Sequence, residues 1–301
     1  MNFRSYRPTL DDSGRRIDRI VRRFLPNVPL SGIYRFLRKG LIRVDGKKIS
    51  PSFLVPENCS IEIAETIIPG ISDNSCEKPL TCSLEILLET PEILFINKPK
   101  GIPVHGPGGL TQMIPKSNAE KASLSFKTGP LHRLDKDTTG IIAVSRSLSG
   151  ARWFSSGIAS GQFGKYYLGL AQNTLNLPAE WHDIDEMGKK MITHVVPLAS
   201  SKDKYGQFYT LVQYCIVTGR KHQIRKQTNL HGFPLWGDTR YGGRKTQNGY
   251  LLHAWQLHFP ENRLTDLPKR IAAPLPESAK TALLSLFTQN VLAMLDTGNV
   301  Y

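Results

Sequence analysis

The feature of this sequence that most constrains its fold is a series of strand-like runs after residue 83. Short runs rich in apolar and β-branched residues recur there, while helical stretches are fewer and do not alternate with them. The predicted strands are 86–88, 93–96, 141–145, 166–171, 193–198, 209–217 and 250–257, and the predicted helices are 149–160, 221–230 and 277–287. We expect an α+β domain with a large mixed, mainly antiparallel sheet flanked by helices and loops, rather than a Rossmann fold.

A second feature is a strongly basic N-terminal segment. The chain has a formal net charge of +14, which indicates a polyanionic partner, either nucleic acid or an anionic membrane surface. Residues 15–48 contain eleven Lys and Arg residues against two Asp residues. The candidate RNA-binding cations among them are Arg15, Arg16, Arg35, Arg38, Lys39, Arg43, Lys47 and Lys48. An ordinary solvated surface would explain the charges but not their sign bias, so RNA binding is favoured.

Local patterns predict the structure of this basic segment. Apolar residues within 17–25 recur at helical spacing, and Pro26 ends that helix. Ser31 is the expected N-cap of a second helix, with Gly40 in its C′ position. Residues 41–49 predict a hairpin that turns at an Asp-Gly pair. Together these elements predict a small α/β RNA-binding domain.

The composition along the chain predicts two domains. A stretch that mixes Pro, Gly, Ser and Asp without periodicity separates the basic module from the strand-rich region and is the best linker candidate. The predicted boundaries are 1–68 for the RNA-binding domain, 69–82 for the linker and 83–301 for the domain that carries the chemistry.

The cysteine pattern and the distribution of apolar residues indicate the cellular compartment. The four cysteines form no Cys-x-x-Cys pair and no cluster with zinc spacing, so we expect reduced thiols and no metal site. The N-terminus lacks the apolar core of a secretory signal, and no run approaches the roughly 18 apolar residues of a membrane span. A cytoplasmic location is therefore expected.

One segment concentrates chemistry. Residues 131–140 read LHRLDKDTTG, which sets two cations, Arg133 and Lys136, around the carboxylates of Asp135 and Asp137. On spacing alone, a salt-bridged structural turn and a catalytic loop fit equally well. A protein-kinase loop is excluded because the sequence has no glycine-rich strand–turn, no Asp-Phe-Gly and no Ala-Pro-Glu.

The segment resembles the His-Arg-Leu-Asp-x-x-Thr/Ser-Gly signature of the RluA-type pseudouridine synthases. Other motifs resemble that family in the family's order. They are ILFINKPKGIP at 93–103, KYY at 165–167, TGRKHQIR at 218–225, GFPLWGDTRYG at 232–242 and LHA at 252–254. The basic module resembles the alpha-L RNA-binding fold shared with a small-subunit ribosomal protein and tyrosyl-tRNA synthetases. This appended module indicates the RluC/RluD branch, with the RluC type the nearer match.

The resemblance implies roles for three catalytic residues. Pseudouridylation detaches uracil from C1′, turns it and rejoins it through C5. Asp135 would be the carboxylate beside C1′, and Arg225 the cation that pairs with it and keeps it ionised as water is excluded. Tyr167 would stack on the uracil, with a hydroxyl able to take the C2′ proton. Asp137 is the weaker candidate and fits a turn carboxylate better.

The resemblance also implies substrate contacts. The candidates are His132, Arg133, Lys165, Arg220, Lys221 and Ile224. Ile224 is expected on the edge of the base, while His132 and His222 suit structural hydrogen bonds better than acid–base chemistry. Two residues depart from the family pattern, Lys221 in place of Thr and Gln227 where many relatives have His, and both put substrate contacts in doubt.

The expected activity is isomerisation of specific uridines to pseudouridine in large-subunit ribosomal RNA. The resemblance implies no cofactor and no metal, and we expect a monomer that binds no membrane. The alternative is a catalytically silent RNA-binding or ribosome-assembly factor with the same fold. The presence of Asp135, Tyr167 and Arg225 argues against loss of catalysis, and a membrane-surface protein would explain the charge but not the motifs.

Deletion of residues 1–70 should leave a folded catalytic domain that binds RNA more weakly. Each phosphate contact that the truncation removes should flatten the slope of log K against log salt by about 0.7 to 0.9. A salt titration of full-length and truncated protein on the same RNA measures this slope. Equal slopes would show that the basic module does not contact phosphate, and an insoluble truncation would contradict the predicted linker.

Overall fold

The structure is a computed structural model that describes residues 2–68, 84–114, 123–124, 126–261 and 267–297. The predicted linker 69–82 lies outside the described residues. Two compact units divide the chain. The first comprises Met1–Pro79, Ile114–Gly129 and Ser145–Ala151, and the second comprises Leu80–Met113, Pro130–Val144 and Arg152–Tyr301.

The first unit contains a small antiparallel sheet and two helices. Its strands are β1 (Phe3–Tyr6), β2 (Ile42–Val44), β3 (Lys47–Lys48) and β4 (Ile61–Ala64), and they pair in the order β1-β4-β2-β3. Its helices are α1 (Ile17–Phe24) and α2 (Leu30–Lys39), and a short 3-10 turn covers Glu65–Ile67. The apolar face of α1 is fully buried in a core shared with α2, β2 and β4, as amphipathic spacing requires.

The predicted ends of these elements are mostly confirmed. Gly40 ends α2 in the left-handed conformation, at φ 72°, which glycine adopts without steric cost. Asp45 and Gly46 both have positive φ and connect β2 to β3, as a tight hairpin turn requires. The expected N-cap at Ser31 is wrong, because the helix begins earlier. Pro29 is the cap residue, and its carbonyl accepts the first helical N–H groups.

The second unit is built on a ten-stranded sheet. Its strands are β5 (Glu85–Glu89), β6 (Ile93–Lys98), β7 (Gly129–Pro130), β8 (Thr139–Ser145), β9 (Gly164–Gln172), β10 (Ala179–Ile184), β11 (Lys190–Lys202), β12 (Phe208–Ile216), β13 (Leu252–His258) and β14 (Arg270–Ala272). The order is β10-β11-β12-β9-β13-β8-β6-β5, with β14 beside β13 and β7 beside β8. The β13–β8 pair is parallel, and the other registered pairs are antiparallel.

Helices flank this sheet. They are α3 (Leu110–Met113), α4 (Leu148–Ala159), α5 (Gln223–Leu230), α6 (Glu277–Leu284) and α7 (Gln289–Thr297). One hydrophobic cluster joins β9 and β12 to α6 and α7 through side chains such as Leu211 and Leu283. Another joins the opposite side chains of β9 and β12 to α5 through Val212 and Ile224. The two faces of the sheet therefore have different neighbours.

The predicted α+β class with a mixed, mainly antiparallel sheet is confirmed. The region predicted as one helix, 277–287, forms α6 and the turn that precedes α7. Strand β10 is absent from the predicted strands, because its exposed polar residues give it the weak hydrophobic pattern of an edge strand. Among the described helices, none combines the length and apolar character that a membrane crossing needs.

Gly140 allows the close parallel contact between β8 and β13. Its φ is +106°, and a Cβ there would lie far inside contact distance of the Ala254 backbone. Both features require glycine, because a side chain would meet backbone rather than a movable side chain. This contact fixes the strand that follows the Asp135 segment.

Gly140→Ala is therefore expected to lower the free energy of unfolding by about 3 kcal/mol, from backbone strain and the displaced Ala254 carbonyl. Gly129→Ala is the matched control, because its Cβ would have no neighbour within 4 Å. Thermal unfolding of both variants measures the difference. Equal melting temperatures would contradict the proposed close approach.

Candidate active site

Asp135 lies in a loop whose ends are fixed by hydrogen bonds. The preceding Leu134 is buried, and the Asp135 carbonyl accepts the Thr138 N–H at 3.1 Å. At the start of β8, Thr139 Oγ1 lies 2.7 Å from His253 Nδ1, and His253 Nε2 lies 3.1 Å from the carbonyl oxygen of Ala273. Burial lowers the pKa of His253 to about 4, so its neutral ring can donate to the carbonyl and accept from the hydroxyl.

A buried lysine fastens a second loop to this one. Lys98 Nζ donates to three carbonyl oxygens, those of Pro99 at 2.8 Å, Ile102 at 2.9 Å and Lys136 at 2.9 Å. Lys98 is fully buried, and burial lowers its pKa to about 8 despite the opposing charges of Asp137 and Asp135. All three ammonium protons have acceptors, so the residue joins the loops without a carboxylate partner.

Arg225 brings together two carboxylates. Its Nε and Nη2 donate to the two oxygens of Asp238 at 2.7 and 2.8 Å, a bidentate pair. Its Nη1 donates to Asp135 Oδ2 at 3.3 Å. The guanidinium carbon also lies 4.3 Å from the Tyr250 ring centroid and 5.0 Å from that of Tyr241. These contacts fix the plane of the guanidinium, so that Nη1 is directed at Asp135.

His222 contacts the other oxygen of Asp135. Its Nε2 lies 3.5 Å from Asp135 Oδ1, and its Nδ1 lies 2.8 Å from the Tyr241 hydroxyl. Burial lowers the pKa of His222, against the opposing effect of Asp135. The ring is therefore mainly neutral at neutral pH, and Arg225 is the permanent cation at Asp135.

Tyr167 and Ile224 form an apolar wall beside these charges. Tyr167 is on β9, opposite Tyr214 of β12, and packs on the buried cluster that includes Ile224. Burial raises the pKa of Tyr167, and the negative charge of Asp135 raises it further. Tyr167 lines a small cavity together with His132 and Lys165, and its role in catalysis stays a prediction.

The Asp135 carboxylate opens into a cleft of about 590 Å³. Its lining includes both carboxylates of the loop, the Arg225–Asp238 pair and two further arginines, Arg133 and Arg240. The Asp135 side chain is 18% exposed, whereas Asp238 is only 2% exposed. The arrangement therefore opens the Asp135 carboxylate to a solvent-accessible pocket that several cations line and that is large enough for a nucleoside unit.

Comparisons with known proteins show which family this chain resembles. Residues 92–230 match the family model described as RNA pseudouridylate synthase, and residues 15–58 match the S4 domain. A ribosomal large subunit pseudouridine synthase C from Escherichia coli K12 is 31% identical, over 92% of this chain and 95% of that protein. The enzyme of that name from Pasteurella multocida is 32% identical, over 93% of this chain and 92% of that protein.

The chain belongs to the RNA pseudouridylate synthase family. Members are isomerases that convert uridine in RNA to pseudouridine, and the S4 match adds an RNA-binding domain. Two solved structures share the fold. Human RNA Pseudouridylate Synthase Domain Containing 1 has a TM-score of 0.53 at 19% identity and covers 71% of this chain and 95% of its own. Human RNA Pseudouridylate Synthase Domain Containing 4 has a TM-score of 0.52 at 23% identity and covers 68% and 94%.

The structure of this pseudouridylate synthase places the predicted substrate contacts in several different surroundings. Arg133 lines the cleft, and Lys165 lines a small cavity beside Tyr167. Arg220 and Lys221 are exposed, and Arg220 donates to the Lys190 carbonyl. His132 lies apart from the cleft lining. Its Nε2 accepts the Ala143 N–H at 3.0 Å, and its ring stacks on Phe154.

Gln227 is a structural residue of α5. It is fully buried, and its amide donates to Asp183 Oδ2 at 2.7 Å and to the Met191 carbonyl at 3.2 Å. Its oxygen accepts from the Thr193 hydroxyl at 2.7 Å. Gln227 therefore fastens the β10–β11 hairpin to the helix that carries Arg225, and its side chain is buried and hydrogen-bonded within the protein.

The eight predicted RNA-binding cations of the S4 domain also divide into two groups. Five are exposed on α2 and β3: Arg35, Arg38, Lys39, Lys47 and Lys48. The other three are partly buried. Among these, Arg16 pairs with Asp18 at 2.6 Å, and Arg43 donates to the Gly40 carbonyl at 2.9 Å. The exposed group is the better candidate for phosphate contacts.

The sequence alone does not predict a role in the site for Lys98, Asp238 or Tyr250. It also does not predict that His222 lies beside Asp135. Lys98, His222 and Asp238 stand in motifs that the sequence displays, so their letters are visible there. Their contacts with Lys136, Asp135 and Arg225 are not visible, because these partners lie in other segments of the chain.

Lys98→Met should lower the free energy of unfolding by about 2–3 kcal/mol, because three carbonyl oxygens lose their donor. Lys136→Met is the control, since the same substitution there removes an exposed ammonium. Denaturant unfolding of both variants measures the difference. A Lys98→Met protein as stable as the control would show that the three hydrogen bonds contribute nothing net.

Proposed function

We propose that this enzyme converts specific uridines of large-subunit ribosomal RNA to pseudouridine, with Asp135 as the catalytic carboxylate. The observation that carries the proposal is the open Asp135 carboxylate held by Arg225 in a cationic cleft. The relatives that match almost the whole chain are named for large-subunit ribosomal RNA, which supports this substrate.

The reaction breaks the bond between N1 and C1′ and forms a bond between C5 and C1′. The C5 proton leaves and N1 gains a proton, so the product is an isomer of the substrate. Asp135 acts at C1′, where loss of the base leaves a positively charged, oxocarbenium-like centre. A carboxylate stabilises or attacks such a centre only while it is ionised, and the permanent charge of Arg225 favours that form.

Asp238 acts as a positioning residue for Arg225. It takes two of the guanidinium N–H groups in a bidentate pair and is itself almost fully buried. This leaves Nη1 directed at Asp135. Without Asp238, the guanidinium could turn about its side-chain torsions, and Asp135 would lose its fixed partner.

Tyr167 provides the wall for the detached base. Its raised pKa keeps the hydroxyl protonated at neutral pH, so the ring stacks on uracil as a neutral surface. Where the hydroxyl takes the C2′ proton, its own proton passes to N1 of the detached uracil. Tyr167 returns a proton to C2′ as C5 bonds to C1′, and the C5 proton restores the hydroxyl, so Asp135 stays ionised throughout. Ile224 packs against the same wall and limits the room in which the base turns.

Basic residues hold the RNA while the target nucleotide is extruded. Extrusion costs a few kcal/mol, so contacts elsewhere on the RNA must offset it. Arg133, Arg220, Lys221 and Lys165 contribute in the catalytic unit, and the exposed cations of the S4 domain bind phosphates of the flanking structure. All the proposed catalytic groups come from one chain, which supports a monomer. The relatives are named for ribosomal RNA, which supports a cytoplasmic location.

Asp135→Asn should reduce pseudouridine formation below about 0.1% of wild type, because removal of a nucleophilic or charge-stabilising carboxylate typically costs several orders of magnitude. The affinity for RNA should stay within about threefold, since the carboxylate acts on the sugar and not on phosphate. Pseudouridine mapping of large-subunit ribosomal RNA, with and without the gene and with the variant restored, measures the activity.

Asp137→Asn is the matched control in the same loop and should keep most of the activity. If wild-type protein restores no pseudouridine to cells that lack the gene, large-subunit ribosomal RNA is not the substrate. A fully active Asp135→Asn enzyme would remove Asp135 from the mechanism. A wild type that binds this RNA without modifying it would favour the silent-factor alternative.

Asp238→Asn should lower kcat by about tenfold to a hundredfold while KM changes little, because the loss affects the orientation of Arg225 and not RNA binding. Asp238→Glu keeps the charge and should recover part of kcat. Steady-state kinetics on one RNA substrate measure both constants. Equal losses in the two variants, or a change confined to KM, would contradict the positioning role.

A further inference from the structure

The turn between β11 and β12 exposes two aromatic rings. Tyr205 is 77% exposed and Phe208 is 49% exposed. Burial of an aromatic ring away from water stabilises the folded protein. Rings as exposed as these therefore contribute little to its stability. We call the segment 202–208 the aromatic tip.

Each ring of the aromatic tip has a lysine beside it. Lys202 Nζ lies 5.2 Å from the Phe208 ring centroid, and Lys204 Nζ lies 5.1 Å from the Tyr205 ring centroid. Both lysines are exposed. An ammonium next to a ring matches a nucleotide, because the base can stack on the ring while the phosphate meets the charge.

Hydrogen bonds within the turn fix the backbone of the aromatic tip. Asp203 Oδ1 accepts the backbone N–H groups of Tyr205 at 2.8 Å and Gln207 at 2.9 Å, and Oδ2 accepts the Tyr209 hydroxyl at 3.1 Å. The Gly206 N–H donates to the Asp203 carbonyl, and Gly206 has the positive φ that this turn needs. The Asp203 carboxylate therefore accepts its hydrogen bonds from within the turn, and these bonds hold the backbone that carries Tyr205.

The aromatic tip lies on the face of the sheet that carries the active site. Side chains alternate along β12, so Phe208 shares a face with Val212 and Tyr214. Tyr214 pairs with Tyr167, and Val212 and Tyr214 belong to the cluster that contains Ile224. The six residue-to-residue steps from Phe208 to Tyr214 span roughly 20 Å of strand. This is a short distance for an RNA chain whose target nucleotide is in the cleft.

Cationic residues lie between the cleft and the aromatic tip. Arg240 lines the cleft, and the loop that follows it carries the exposed Arg244 and Lys245. The Arg244 N–H donates to Gln172 Oε1 at 2.6 Å, and Gln172 pairs with Tyr209 at the base of the tip. The loop therefore connects the Asp238 side of the cleft to the tip with positive charge along its length.

The alternative is that the lysine–aromatic pairs only stabilise the hairpin. Exposed pairs of this kind stabilise a hairpin modestly, which would explain the lysines. It does not explain why Tyr205, at the end of the turn, keeps most of its ring in solvent. It also does not explain the further cations that extend from the cleft to this turn.

We propose that the aromatic tip is an RNA-binding surface that stacks unpaired nucleotides flanking the target uridine, with Tyr205 and Phe208 as the stacking rings and Lys202 and Lys204 as phosphate contacts. The proposal rests on the proposed function and extends its RNA interface beyond the cleft. It concerns affinity and the choice of site, and leaves the chemistry at Asp135 unchanged.

The first experiment removes the rings. The probe is unmodified large-subunit ribosomal RNA transcribed in vitro, and the double variant Tyr205→Ala/Phe208→Ala is compared with wild type. We expect Kd to rise about tenfold or more, because base–aromatic stacking is removed at two positions. The single-turnover rate at saturating enzyme should stay unchanged. The control Tyr205→Phe/Phe208→Tyr keeps both rings and should bind as wild type does.

The second experiment removes the charges. Lys202→Gln/Lys204→Gln should flatten the slope of log K against log salt by about 1.4 to 1.8, the effect of two phosphate contacts. Lys280→Gln is the matched control, because Lys280 lies on α6, which packs on the opposite face of the sheet. Its slope should equal that of wild type.

The outcomes are separable from those of the proposed function. If the ring-free variant binds this RNA within twofold of wild type, the aromatic tip is not an RNA contact and the proposal is overturned, even though pseudouridine still forms. A lower saturated rate with unchanged Kd also overturns it. If wild-type protein forms no pseudouridine on this RNA, the proposed function fails first.

Discussion

The pairing of Arg225 with two carboxylates holds the site together. A guanidinium has five N–H donors in a fixed plane, so it can hold one carboxylate rigidly and still offer an N–H to another. Here Asp238 takes the bidentate edge and Asp135 accepts from Nη1. Because Asp238 is buried and Asp135 is partly open, the same cation anchors the site and faces the cleft.

The loops around this pair are joined by neutral or backbone partners. Lys98 donates to three carbonyl oxygens, and His253 bridges Thr139 to a backbone carbonyl. Gln227 ties α5 to a neighbouring hairpin through its amide. Uncharged acceptors satisfy the buried donors of Lys98 and His253 without bringing another carboxylate to Asp135. Arg225 is the cation that donates a hydrogen bond to Asp135, beside a mainly neutral His222.

Charge in this chain has two different uses. Arg16 and Arg43 have partners within the S4 domain, whereas other residues of the same basic segment are exposed. In the sheet domain, Arg225 is buried for positioning, whereas Arg240 opens to the cleft. Net charge predicts an anionic partner, but the burial of each side chain decides which cations are free to meet it.

Local patterns in the chain are enough to predict the class of fold and the small basic module, whereas the catalytic candidates follow from the resemblance of the motifs to a known family. Strand patterns and turn residues are local, and the motif around Asp135 is contiguous, so each can be recognised within one stretch of chain. Edge strand β10 was not predicted, because exposed positions along it leave only a weak hydrophobic pattern. Three-dimensional packing was needed to show that Asp238 holds Arg225, that Lys98 fastens the Asp135 loop and that His132 lies apart from the cleft lining. Those contacts join residues from separate strands and loops, and their distances depend on the packing of the whole sheet rather than on any local pattern.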